Sequence, residues 1–280
     1  MNPKPLSRAA ISRQLVIFGL VFIVSVNEAI ATACKTEDFE NFVSGKDQCL
    51  VINKFGQDTG RVMLIWLHGD LSSGGHASYH FPLAKTFKDE NPDLDVLSIA
   101  LVRPGYSDGQ GRSSTVHWLN SGRRDHYTRA NISEVAAAIE RLKERYKPSE
   151  IVLIGHSGGA ATSAVILGMF PGLISRALLV ACPCDLVAWR VGATPWGASE
   201  NPSKWAQHIL PSTVVHAVTG ERDTNTFPAL GKDYVEQLKK SGVKADFFLI
   251  ENAGHNSIFN GKIVFHSLKN LLNVGKTQAP

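Results

Sequence analysis

The sequence predicts an α/β fold with a mostly parallel central sheet and helices on both faces, and three observations support this. Six short apolar runs recur along the chain, each followed by glycine, proline or polar residues. Stretches of helical periodicity lie between them. The 280 residues are 44% hydrophobic and 19% charged, an ordinary balance for one folded globular domain.

Residues 61–67 (RVMLIWL) form a run rich in strand formers that ends at His68-Gly69, and 95–102 (DVLSIALV) form another that ends at Arg103-Pro104-Gly105. The runs at 151–154, 176–181, 213–218 and 246–250 complete the set. Continuous apolar runs of this length suit strands buried on both faces. Between them, residues 127–146 place Ile132, Val135, Ala136, Ile139, Leu142 and Tyr146 three or four apart, and Pro148 stops the helix. An alanine-rich helix is predicted over 158–169, with weaker patterns at 80–91 and 228–241. Alternating strands and helices make a parallel sheet covered on both faces, with ligands beyond the carboxyl ends of its strands.

The first 33 residues read as a secretory signal peptide. Lys4, Arg8 and Arg13 precede the apolar, uncharged core Leu15–Val26, and Ala31-Thr32-Ala33 has the small-x-small pattern that precedes cleavage. An uncleaved anchor would want about 18 or more apolar residues. A lipoprotein is the other alternative, because Cys34 follows directly, although lipoprotein signals usually carry leucine where Ala31 stands. Cleavage would leave 34–280 as a single exported domain, secreted or periplasmic, with no stable membrane span. Losing Lys4, Arg8, Arg13 and Glu28 takes the net charge from +4 to +2. So small a charge, with no basic run longer than Arg123-Arg124, gives no footprint for nucleic acid.

Export would take all four cysteines into an oxidising compartment. A Cys34–Cys49 bridge would tie down the N-terminus, stabilising by roughly 3 kcal/mol for a loop of this length. Cys182-Pro183-Cys184 reads equally well as two packed thiols, and without nearby histidines it is a poor metal site. One segment, 183–211, breaks the alternation between two strands and holds Trp189, Trp196 and Trp205. It reads as a cap insertion whose tryptophans either line a substrate pocket or fill a core.

The chemistry centres on IVLIGHSGGAA at 151–161. A strand, a Gly-x-Ser-x-Gly turn and a helix form a nucleophile elbow, in which the serine sits at a strained turn and the glycines permit close backbone approach. The helix also aims its free N–H groups and positive end at charge developing beside Ser157. With HGD at 68–70, RPGYSDG at 103–109, GERD at 220–223 and AGH at 253–255, the chain resembles the α/β-hydrolase family. The resemblance implies the α/β-hydrolase fold and a serine esterase, lipase or peptidase-like activity without cofactor or metal. Its chain order of Ser, acid, His implies Ser157 as nucleophile, Asp223 as acid and His255 as base, with Asp185 or Glu221 as alternative acids. It also implies an oxyanion hole from the N–H groups of Asp70 and Gly158, with the Asp70 side chain turned away or held by Arg103. His156 reads as filler within the elbow.

The expected function is hydrolysis of a carboxylic ester or related acyl bond, with a small-molecule acyl substrate, by way of an acyl-enzyme on Ser157. A small peptidase, an acyltransferase or a non-catalytic binding module are the alternatives. The tryptophans of 183–211 are the candidate substrate-binding residues, and Arg190, Arg123 and Arg124 are a weaker option for gripping a carboxylate. The sequence leaves the oligomeric state open.

Overall fold

The computed structural model describes Met1 and residues 33–72, 74–117 and 127–273. The predicted leader core and the Arg123-Arg124 pair lie outside the described residues. Among these residues no helix is long and apolar enough to cross a membrane.

Among the described residues the sheet has eight strands: β1 (Phe42–Ser44), β2 (Cys49–Phe55), β3 (Val62–Leu67), β4 (Val96–Leu101), β5 (Glu150–His156), β6 (Arg176–Val180), β7 (Val214–Gly220) and β8 (Lys244–Ile250). Their spatial order is β1-β2-β4-β3-β5-β6-β7-β8. Pairing is parallel from β4 to β8, whereas β1 and β2 are antiparallel. These two strands escape an apolar-run reading, since β2 reads CLVINKF, with Asn53 and Lys54 near its end, and β1 has three residues. They form a hairpin closed by Gly45 N–H on Gln48 O at 2.7 Å.

The helices are α1 (Phe81–Glu90), α2 (Arg129–Tyr146), α3 (Gly158–Met169), α4 (Leu186–Trp189), α5 (Pro202–Trp205), α6 (Pro228–Lys240) and α7 (Gly261–Asn273). Side-chain alternation along β3 divides the core in two, as a period of two requires. Met63, Ile65 and Leu67 belong to the core on the α2, α3 and α6 side, while Leu64 and Trp66 belong to the core on the other side with Phe87 of α1 and Leu268 of α7. All six residues of β3 are buried, which is why the run reads as continuously apolar.

Both cysteine pairs are bridged. Cys34–Cys49 joins the N-terminal segment to β2. Cys182–Cys184 is also a disulfide, so the packed-thiol alternative is corrected. Ala181 at φ 51° turns the chain after β6, and the half-cystines that follow it are both buried.

Candidate active site

The sheet order reverses between β3 and β5, and the crevice at such a switch point is where open α/β sheets bind ligands. Ser157 follows β5 directly and stands at φ 51°, ψ −117° as the first residue ahead of α3. A serine at positive φ is strained and needs its surroundings to hold it. Its N–H donates to Val180 O at 2.8 Å, and its carbonyl accepts from Ala160 and Ala161 N–H at 2.9 and 3.0 Å. The flanking glycines allow α3 to cross the strands closely. A Cβ on Gly155 would stand 2.6 Å from Ala160 Cα, and one on Gly159 would stand 2.7 Å from Leu67 C.

The loops after β7 and β8 bring two more residues to Ser157. Its Oγ lies 3.1 Å from His255 Nε2, and His255 Nδ1 lies 2.9 Å from Asp223 Oδ2. Asp223 is buried, and its Oδ1 accepts from the N–H groups of Asn225 at 2.9 Å and Thr226 at 2.8 Å. Burial by itself would raise its pKa, but the hydrogen bonds from His255 and Thr226 and the nearby imidazole outweigh this and hold the carboxyl below its usual range. Because an ionised carboxylate only accepts, Nδ1 carries the imidazole hydrogen and Nε2 presents a lone pair to Ser157. An imidazole in that state can take a proton from the serine hydroxyl.

Asp70, at the carboxyl end of β3, keeps its side chain in a buried polar cluster. It accepts from Arg103 Nη2 at 2.6 Å, Tyr106 OH at 3.1 Å and Tyr127 OH at 2.5 Å. The contact with Arg103 is one of the two arrangements the sequence allows for this carboxylate. The cluster abuts Gly158, where a Cβ would stand 2.7 Å from Tyr127 OH. Burial raises the Tyr127 pKa, and the Asp70 charge raises it further, so the hydroxyl stays a donor.

Asp185 is placed elsewhere. It caps α4 by accepting from Val187 and Ala188 N–H at 2.9 and 3.2 Å, and it also accepts from Asn201 Nδ2 at 3.1 Å. Glu221 accepts from Asn252 N–H at 3.1 Å.

The three tryptophans divide. Trp196 stands edge-on to Tyr127 at 5.4 Å between ring centroids and to Trp189 at 5.2 Å. Trp189 Nε1 donates to Asn225 O at 2.9 Å, beside the loop that holds Asp223. Trp205, the third candidate for substrate binding, packs where the insertion meets α3. Its Cβ lies 2.8 Å from the Cβ position of Gly168, ten residues along α3 from Gly158 and so about 15 Å along the helix axis. It anchors the insertion to the body there, with Nε1 donating to Glu200 at 3.0 Å. Arg190 lies over Trp189 and Trp196 at 5.5 and 5.0 Å and donates to Thr194 O.

Sequence reasoning missed Thr226, Tyr79 and the role of His156. Thr226 Oγ1 donates to Asp223 Oδ2 at 2.8 Å and lies 3.0 Å from His255 Nδ1. Its place three residues after Asp223 is a signal a closer reading of the acid turn could have used. His156 contacts Tyr79 and the His255 carbonyl, and no spacing in the sequence marks Tyr79 as its partner. Among the described residues, no group of His, Cys, Asp or Glu is arranged to hold a metal ion.

The fold resembles solved esterases at low sequence identity. Est1E from Butyrivibrio proteoclasticus with ferulic acid bound matches with a TM-score of 0.66 at 12% identity, covering 85% of this chain and 99% of that one. The Pyrococcus furiosus esterase Pf2001 gives 0.60 at 14%, covering 83% and 88%. A hyperthermophilic esterase from Pyrobaculum calidifontis gives 0.60 at 12%, covering 85% of each chain. No curated protein matches the chain in sequence. Residues 64–212, from β3 through the elbow to the end of the insertion, match the model of the alpha/beta hydrolase family. With that match over more than half its length, and with the strand order, the elbow and the loops after β7 and β8 arranged around one serine, the chain belongs to the alpha/beta hydrolase family.

Proposed function

We propose that this protein is a serine hydrolase that cleaves a carboxylic ester, or a related acyl bond, through an acyl-enzyme on Ser157. The observation that carries the reading is the line from Ser157 Oγ to His255 Nε2 at 3.1 Å and from His255 Nδ1 to Asp223 at 2.9 Å, set at a strained elbow. As Ser157 Oγ bonds to the substrate carbonyl carbon, its proton passes to His255 Nε2. The imidazolium so formed faces the Asp223 carboxylate, which stabilises it and fixes the ring. The carbonyl oxygen takes up negative charge and is met by the N–H groups of Gly158 and Asp70. On collapse the alcohol leaves with the Nε2 proton. Water then repeats the sequence on the acyl-enzyme, releasing the acid and restoring Ser157.

Several features support an ester as substrate and a wall of Trp189, Trp196 and Tyr127 beside it. The solved neighbours include esterases, one with an aromatic acid bound. Rings that pack edge to face suit an apolar or aromatic group on the substrate. Segment 183–211 acts as the cap. Residues 1–33 act as a cleaved signal peptide, and the two disulfides fit an exported protein.

The test is Ser157→Ala with a fluorophosphonate probe and p-nitrophenyl esters. Wild type should be labelled covalently at Ser157 and turn over. The variant should be folded by circular dichroism, unlabelled, and slower by about 10⁶-fold in kcat. A folded variant retaining more than about a tenth of the rate would overturn the acyl-enzyme.

A further inference from the structure

His156 and Tyr79 stand outside the Ser157–His255–Asp223 line, yet hydrogen bonds through them join the loops on which that line depends. The Gly69 N–H lies 2.5 Å from the Tyr79 hydroxyl, the hydroxyl lies 2.8 Å from His156 Nδ1, and His156 Nε2 lies 3.2 Å from the carbonyl oxygen of His255. Chemistry fixes every donor in this series. A backbone amide only donates and a carbonyl only accepts. Tyr79 therefore accepts from Gly69 and gives its own hydrogen to Nδ1, so Nε2 carries the imidazole hydrogen and donates to His255 O.

The series requires a neutral imidazole and a protonated phenol. Burial, with His255 nearby, lowers the His156 pKa to about 4. Burial pushes the Tyr79 hydroxyl up to about 12. Packing holds the rings in place: His156 stacks on Phe259 at 4.5 Å and 18°, and Tyr79 meets Phe259 edge-on at 5.8 Å.

We propose that Tyr79 and His156 are positioning residues that set the oxyanion-binding loop and the His255 backbone together. Tyr79 holds the Gly69 amide and so orients the next residue, Asp70, whose N–H meets the developing oxyanion. His156 holds the His255 carbonyl and so sets the imidazole opposite Ser157. Because the Tyr79 hydrogen selects the His156 tautomer, the two act as one unit, and losing the hydroxyl loosens both ends. The inference rests on the acyl-enzyme reading above.

The experiment compares Tyr79→Phe, His156→Ala, the double variant and His156→Gln, at a temperature where circular dichroism finds all of them folded. Steady-state hydrolysis of p-nitrophenyl butyrate and the rate of fluorophosphonate labelling are the readouts. Tyr79→Phe and His156→Ala should each lower kcat by about 10- to 100-fold with KM little changed, the loss expected when reacting groups move by about 1 Å. The double variant should be no more than about threefold slower than the worse single one, because coupled residues are not additive. His156→Gln, whose amide can still donate to His255 O, should recover at least about fivefold in kcat over His156→Ala. Tyr79→Phe at the wild-type rate, losses that multiply in the double variant, or a Gln variant no better than Ala would each overturn the positioning role. A wild type that neither hydrolyses esters nor takes up the probe would instead overturn the acyl-enzyme reading, and this proposal with it.

Discussion

Replacing Asp223 by Asn changes one atom, and the structure dictates what that atom does. Oδ1 accepts from two backbone N–H groups, at 2.9 and 2.8 Å. An amide NH2 placed there would face two donors, so the Asn oxygen takes the Oδ1 site and the NH2 takes the Oδ2 site, 2.9 Å from His255 Nδ1. The Thr226 hydroxyl, which donates to Oδ2 at 2.8 Å, can rotate to accept from that NH2. The NH2 then donates to Nδ1, and the imidazole hydrogen moves to Nε2. That hydrogen points at Ser157 Oγ across 3.1 Å, so the ring cannot accept the serine proton. The expected loss is about 10⁴-fold in kcat, the effect of a wrong tautomer in such a line, or about 5.4 kcal/mol at 1.36 kcal/mol per decade. Melting should hardly move, since every hydrogen bond keeps a partner. Steady-state hydrolysis of p-nitrophenyl butyrate beside a melting curve measures both, with Asp185→Asn as the contrast. Asn also serves as a helix cap, so the Asp185 variant should keep wild-type turnover. A folded Asp223→Asn enzyme within about tenfold of wild type, or a larger loss at Asp185, would take the acid role away from Asp223.

Trp189→Ala and Trp196→Ala should change the preference between short and long acyl esters, read as ratios of kcat/KM, whereas Trp205→Ala should lower the melting temperature and leave that preference intact. Loss of preference in the Trp205 variant alone would reverse the assignment. Material secreted by an expression host should begin at Cys34 by N-terminal sequencing, and Cys34→Ser with Cys49→Ser should lower unfolding free energy by about 3 kcal/mol in denaturant titration. A start at Met1 would refute the cleaved leader.

The parallel part of the sheet, the main helices and the elbow are legible in the chain because each is written locally. A strand buried on both faces must be apolar throughout, as 62–67 is, and an amphipathic helix must repeat its apolar residues every three or four positions, as α2 does. The order of Ser157, Asp223 and His255 along the chain was legible for a similar reason: each follows a strand, and every parallel strand delivers its successor loop to the same edge.

Features that depend on distance through space appear only once the chain is folded. β2 is an edge-side strand whose polar residues hide it from an apolar count, and only its pairing with β4 makes it part of the sheet. Trp189, Trp196 and Trp205 are equivalent letters in one insertion, but the packing of α5 against α3 carries Trp205 away while Trp196 reaches Tyr127. Tyr79 and His156 are the sharpest case. Their hydroxyl and imidazole meet across 77 positions because the loop after β3 and the end of β5 converge at the switch point, and a hydrogen bond between side chains has no periodicity that a sequence could display.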